Sequence, residues 1–159
     1  MVTPDSYRQI MGNWATGVTV VTTVGKDGAP RGLTVSSFTS VSLEPLLVLV
    51  CLDNRISGLQ DFKESMKFGV SILSESQEDV SRAFARRDAV RAPELYFEGK
   101  LGLPLLRNSL ATLECETVAI YPGGDHMIFL GQVQSVGLLE GKTGGKPLLY
   151  CRGKYERLP

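Results

Sequence analysis

Six hydroxyl side chains fall between Thr34 and Ser42 of this 159-residue chain: Thr34, Ser36, Ser37, Thr39, Ser40 and Ser42. Read as one strand, the two-residue period puts Thr34, Ser36, Phe38, Ser40 and Ser42 on one face and Val35, Ser37, Thr39 and Val41 on the other. Hydroxyls crowded on one face need water, each other or a polar ligand. The face is therefore either an ordinary solvated strand surface or a place for a planar polar group. A continuous apolar run follows, Leu46 to Leu52, which reads as a strand buried on both faces. Directly after it comes Asp53-Asn54-Arg55-Ile56-Ser57-Gly58-Leu59-Gln60, in which Ser57 and Gln60 have the spacing of a helix capping box. A helix start flanked by Asn54 and Arg55 offers unpaired N–H groups, a positive dipole end and a guanidinium, a set suited to a phosphate. A polar strand face and an anion cradle, joined by a buried strand, suit a ligand with a planar polar head and a phosphate tail.

Other chemistries find little support. The sole histidine, His126, sits in Gly124-Asp125-His126 at a turn, where it is either a surface or capping residue or a ligand contact. A metal site would need carboxylates, and no clustered pattern supplies them. Nor does the chain show a nucleophile beside a base, or paired catalytic carboxylates. Cys51, Cys115 and Cys151 are odd in number and widely spaced in apolar strand contexts, which fits small buried hydrophobes better than a disulfide or redox pair. Gly141-Lys142-Thr143 has Val136 where a phosphate-binding Walker loop needs glycine, and it reads as a hairpin turn. There is no Gly-x-Gly-x-x-Gly, so any dinucleotide binds without a Rossmann loop.

The elements that must position these residues read as strands with helices inserted. Thr3 caps a helix with Pro4 at its first position, and Tyr7, Ile10, Met11 and Trp14 form one apolar stripe, read as packing with a ligand-edge contact for Trp14 as the alternative. Val18 to Val24 is a β-branched run, and Lys26-Asp27-Gly28 turns it into the hydroxyl strand. A helix is expected from Ser57 to Ser65 and a strand from Lys67 to Leu73. Ser74 and Gln77 then announce a second capped helix that turns Val80, Ala83 and Phe84 to the core. Residues 88–100 read as a loop, either a lid or partner contact or an irregular connection. Strands are expected over 110–121 and 127–140, the latter bulged near Gly131 or Gly137, and over 148–151. Six or seven strands in hairpin order favour a closed or split antiparallel barrel over a doubly wound sheet. One domain over residues 1–159 is the economical organisation. With 17 basic and 17 acidic residues, nothing points to nucleic acid or an acidic membrane. No apolar segment approaches the roughly 20 residues that span a bilayer, and a cytoplasmic protein is expected.

Several stretches together resemble the short-chain flavin reductases, whose domain is the FMN-binding split barrel, mainly β with inserted helices. They are Ala15-Thr16-Gly17-Val18-Thr19-Val20-Val21-Thr22, Gly32-Leu33-Thr34-Val35-Ser36-Ser37-Phe38 with Ser42-Leu43-Glu44-Pro45, Gly124-Asp125-His126, and Pro147-Leu148-Leu149-Tyr150 with Gly153-Lys154-Tyr155. The resemblance implies hydride transfer from NADH or NADPH to FMN or FAD, and delivery of reduced flavin to a partner monooxygenase by a homodimer. The chemistry then belongs to the cofactors, and the protein supplies placement. The same resemblance implies that the flavin ring lies against Thr34, Val35, Ser36 and Ser37, with Ser40 nearby. It puts the phosphate at Asn54, Arg55 and Ser57, with Asp53 also among the cofactor-binding residues, although Ile56 stands where the family often has Ser or Thr, and Arg87 is a further anion contact. His126 is implied to meet the nicotinamide. A flavin-binding electron carrier or storage module without nicotinamide activity would use the same strand and turn; only the Gly124-Asp125-His126 turn argues against it.

Overall fold

The computed structural model describes residues 1–86, 92–138 and 145–159. The chain opens with helix α1, Pro4–Met11, in which Thr3 Oγ1 accepts the Ser6 N–H and Ser6 Oγ accepts the Thr3 N–H. After the short β1, Thr16–Gly17, the β-branched run forms β2, Thr19–Val24, and turns into β3, Pro30–Val35, with Thr19 opposite Val35 and Val24 opposite Pro30. The expected single hydroxyl strand is two strands. β3 ends at Val35, and β4, Thr39–Leu43, begins after residues 36–38 and pairs with β5, Leu46–Asp53.

Helix α2, Leu59–Ser65, leads to β6, Lys67–Ile72, and a 3-10 turn over Glu75–Gln77 leads into helix α3, Glu78–Ala85. The Ser74 N–H donates to Gln77 Oε1 at 3.1 Å, so the capped start expected there is formed. Of residues 88–100, those after 91 are not a plain loop: β7, Tyr96–Glu98, pairs with β8, Pro104–Leu106. The long β9, Ala111–Gly123, and β10, His126–Leu138, pair with register breaks at Leu130/Gly131 and Val133/Ser135. The first break falls at one of the two expected glycines, and that glycine has a steric reason. A Cβ on Gly131 would lie 2.4 Å from Phe68 Cζ, so only glycine lets β10 pass that ring. The hairpin of β11, Leu149–Cys151, and β12, Lys154–Glu156, closes the described chain and pairs with β1. The Gly141-Lys142-Thr143 turn lies outside the described residues.

Seven strands form one antiparallel sheet in the order β3-β2-β6-β9-β10-β5-β4. Laid flat, six spacings of about 4.8 Å would separate its edge strands by roughly 29 Å. Residues 36–38 join those same edges, and the chain from Val35 to Thr39 spans at most about 14 Å. The sheet is therefore curled until its edges approach, an arrangement consistent with a split barrel. Inside the curl, Val21, Val50, Phe68, Val70, Cys115 and Phe129 form a core that α2 closes with Phe62, whose ring meets Phe129 edge-on at 6.3 Å. A second cluster of Val18, Val20, Leu73, Phe84, Leu106 and Leu148 holds α3 against the outside of β2.

Two burial expectations are corrected. β5 is not buried on both faces: Val48, Val50 and Leu52 point into the core, while Leu47, Leu49 and Cys51 are half-buried and Leu46 is exposed. A one-sided sheet produces this alternation, and leucine on the outer side disguised it. The α1 stripe does not pack into this chain either. Tyr7, Ile10, Met11 and Trp14 are all exposed, and α1 buries no residue.

Candidate flavin and nicotinamide site

Residues 36–38, which join the sheet's two edges, lie outside every strand ladder and line a cavity there. Around them the hydroxyls divide into two kinds. The Thr34 hydroxyl donates to the Ser81 carbonyl at 2.7 Å and ties β3 to α3. Ser37 Oγ donates to the Cys51 carbonyl at 2.9 Å and accepts the Cys51 N–H at 3.1 Å, satisfying the backbone of β5 where a strand would otherwise pair. Val35 is buried in the core. Ser36 and Ser40 are exposed, but Ser40 stands in β4 opposite Val48, on the far edge of the sheet from Thr34. The shared face expected for Thr34 and Ser40 is thus broken by the gap at 36–38.

The turn after β5 is built differently from the expected helix start. α2 begins at Leu59 with Gly58 as its N-cap and no side-chain cap; the Ser57/Gln60 box is not formed, and Gln60 instead donates to Glu64 at 2.8 Å. Asn54 and Arg55 therefore precede the helix by a turn and do not sit at its N-terminus. Ile56 packs against the core and anchors the turn. Asp53 accepts from the Arg55 N–H at 2.8 Å, from Nε at 3.0 Å and from Nη2 at 2.6 Å. These bonds from Arg55 hold the Asp53 carboxyl far below the usual carboxylate range.

The structure brings this turn to the Gly124-Asp125-His126 turn. The Asn54 N–H donates to the Asp125 carbonyl at 2.9 Å, and Asn54 Nδ2 donates to the Gly124 carbonyl at 3.1 Å. Gly124 has φ +74°, a left-handed conformation glycine adopts without strain. His126 lies opposite Asp53 in the β5–β10 pairing, and its Nδ1 meets Asp125 Oδ1 at 2.7 Å. This contact lowers the Asp125 carboxyl's affinity for a proton and turns Nε2 away from the carboxylate. The 70-residue separation of Asn54 and Gly124 left no local signal in the sequence.

Three cavities adjoin along this side. One of about 300 Å³ lies between β3, the 53–58 turn and the end of α3, with Arg31, Thr34, Asp53, Ser57 and Arg86 on its wall. A second, of about 460 Å³, shares Ala85 and Arg86 with the first and adds Arg82, Tyr150 and Tyr155. The third, of about 590 Å³, shares Tyr150 and Gly153 with the second and contains Trp14, Ser36, Ser37 and Phe38. Arg31 and Arg86 are cavity residues that the sequence reading missed. Arg31 is held by Asp61 at 2.8 Å and Asp27 at 3.0 Å; Arg86 is the neighbour of Arg87, which lies outside the described residues. Among the described residues no group of three His, Cys, Asp or Glu can hold a metal, and no helix is long and apolar enough to cross a membrane.

A curled antiparallel sheet with cavities along its joined edges is a β fold suited to holding a ligand. Comparison with known proteins makes this specific. The model of the flavin reductase like domain matches residues 11–159. The chain is 35% identical over 155 residues to the flavin-dependent monooxygenase reductase subunit HsaB of Mycobacterium tuberculosis, covering 97% of this chain and 82% of that protein. It is 38% identical over 160 residues to an NADH-dependent flavin reductase of a Rhodococcus species, covering 99% and 88%. The NADH:FAD oxidoreductase SgcE6 of Streptomyces globisporus, solved with NAD and FAD fragments, superposes with a TM-score of 0.90 at 36% identity, covering 100% of this chain and 96% of that one. The chain belongs to the flavin reductase-like family, the reductase components of two-component flavin monooxygenase systems, and it is an NAD(P)H:flavin oxidoreductase.

Proposed function

We propose that this enzyme passes hydride from NADH or NADPH to FMN or FAD as a diffusible flavin and that a separate monooxygenase component consumes the product. The observation that carries this reading is the latch of the Gly124-Asp125-His126 turn onto the 53–55 turn, which brings His126 opposite Asp53 on the recess wall. The donors present fit a flavin. In this reading the backbone of residues 36–38 and the Ser36 hydroxyl meet the polar edge of the ring, and Arg31, Arg86 and Ser57, on the recess of about 300 Å³, meet the phosphate. The bound flavin supplies the hydride acceptor and the nicotinamide the donor. His126 Nε2 is placed to accept from the nicotinamide carboxamide, while Asp125 fixes the ring through Nδ1. Thr34 and Ser37 act at one remove, holding α3 and β5 so that the 36–38 backbone keeps its position.

The enzyme works as a homodimer in this reading. Tyr7, Ile10, Met11 and Trp14 are left uncovered by the chain itself, as are Val41, Leu43 and Leu46 around the β4–β5 turn. Burying such side chains is worth about 1.5–3 kcal/mol each. A second copy covering α1 would also wall the cavity that Trp14 shares with Ser36 and Ser37.

The test is His126→Ala in steady-state assays. The KM for the nicotinamide should rise roughly tenfold, the worth of one lost hydrogen bond at about 1–1.5 kcal/mol, with flavin affinity nearly intact. Unchanged nicotinamide kinetics would remove His126 from the site.

A further inference from the structure

The Asp53–Arg55 pair sits where the sequence places a phosphate cradle, and it works against one. Asp53, Ile56, Ser57 and Gly58 line the recess of about 300 Å³, whereas Arg55 does not. The cause lies inside the turn. Asp53 grips the Arg55 guanidinium through two nitrogens, at 3.0 Å and 2.6 Å, and the Arg55 N–H at 2.8 Å. A carboxylate bound this way offers a guanidinium the two-oxygen geometry that a phosphate would offer. Asp53 therefore occupies Arg55 in the ligand's place and also sets its own negative charge on the recess wall. Of the wall's other cations, Arg31 already answers to Asp61 and Asp27. Arg86, at the end of α3, lines the same recess.

We infer that Asp53 sets the enzyme's grip on flavin: it holds Arg55 off the phosphate and opposes the phosphate's charge, so that flavin binds by its ring and exchanges freely. This rests on the recess being the flavin-phosphate pocket. It adds to the proposed function a residue that makes flavin a substrate rather than a resident group, and its effect should show only with ligands that carry a phosphate.

The experiment is fluorescence titration of the wild-type enzyme, Asp53→Asn, Arg55→Ala and the double variant with FMN and with riboflavin, which lacks the phosphate. In Asp53→Asn the ratio of FMN to riboflavin affinity should rise roughly five- to tenfold, as expected for removing one charge close to a phosphate and releasing a guanidinium to it. Arg55→Ala alone should move that ratio less than about twofold, whereas in the Asp53→Asn background it should abolish the gain, a coupling that the double-mutant cycle reads directly. A general loosening of the turn would change both ligands together and leave the ratio in place. An unmoved or lowered ratio in Asp53→Asn overturns the inference, and so does Arg55→Ala lowering it equally in both backgrounds. Asp53→Ser, which also removes the charge, repeats the comparison should the asparagine variant fold poorly. Adding NADH to the wild-type samples reads flavin reduction separately. Reduction with an unmoved ratio removes only the Asp53 assignment, and absent reduction removes the proposed function.

Discussion

Helices α1 and α3 are built alike and end differently. Each has eight residues and an amphipathic pattern; Thr3 caps α1, and α3 is entered through the 3-10 turn boxed by Ser74 and Gln77. α3 puts Phe84 at 1% exposure against Leu73, Leu106 and Leu148 and ties itself to β3 through Thr34 and to β12 through Tyr155, whose hydroxyl lies 2.8 Å from Ser81 Oγ. α1 buries nothing. It is held at its end, where the Arg152 N–H donates to the Gly12 carbonyl at 2.7 Å and Arg152 Nε donates to Asn13 Oδ1 at 3.0 Å. An isolated helix of this length is marginal in water, and the described residues leave its apolar stripe exposed. Local sequence decides that a helix forms; what it packs against is decided elsewhere.

The comparison can be broken in three places. Phe84→Ala should cost about 3–5 kcal/mol in denaturant unfolding; a loss under 1 kcal/mol would mean that α3 is no better anchored than α1. Ile10→Glu with Trp14→Glu should leave the stability of the dilute monomer within roughly 0.5 kcal/mol while halving the mass measured by light scattering. An unchanged mass would take α1 out of the subunit contact. The smallest contrast is in the caps. Ser74→Ala should cost about 1 kcal/mol and Thr3→Ala less, because fraying at Thr3 releases no core contact. Equal losses would show α1 to be coupled to the fold more tightly than its exposure implies.

A third region marks the same division chemically. Cys115 is fully buried beside Phe68, and burial pushes its thiol up to about 12. Folded protein should leave it unmodified by an alkylating reagent at pH 8, and unfolded protein should react there. Because its thiol is favoured over the thiolate when folded, any stability this group contributes is present at neutral pH. That contribution falls as pH rises past the ordinary cysteine value near 8.5.

Much of the fold was legible because its signals are local. The run Val18–Val24, the turn at Lys26-Asp27-Gly28, the box at Ser74 and Gln77 and the glycine at 131 each carry their instruction within a few residues. The site was less legible because it is made by contacts across the chain. Nothing near Asn54 announces Gly124, nothing near Ser37 announces the backbone of Cys51, and a run of alternating hydroxyls does not show that the strand stops at Val35 and resumes on the other sheet edge. Arg31 and Arg86 were missed for the same reason: their place on one cavity wall follows from α3 docking on β3.

The central claim is hydride transfer from a nicotinamide to flavin that comes and goes. Anaerobic absorbance of the purified enzyme with excess NADH or NADPH and many equivalents of FMN or FAD tests it most directly. Bleaching of the visible flavin band is expected through all the added flavin, with the faster pair naming the preferred nucleotides. Bleaching that stops at one equivalent per subunit, or none with either nucleotide, would contradict it.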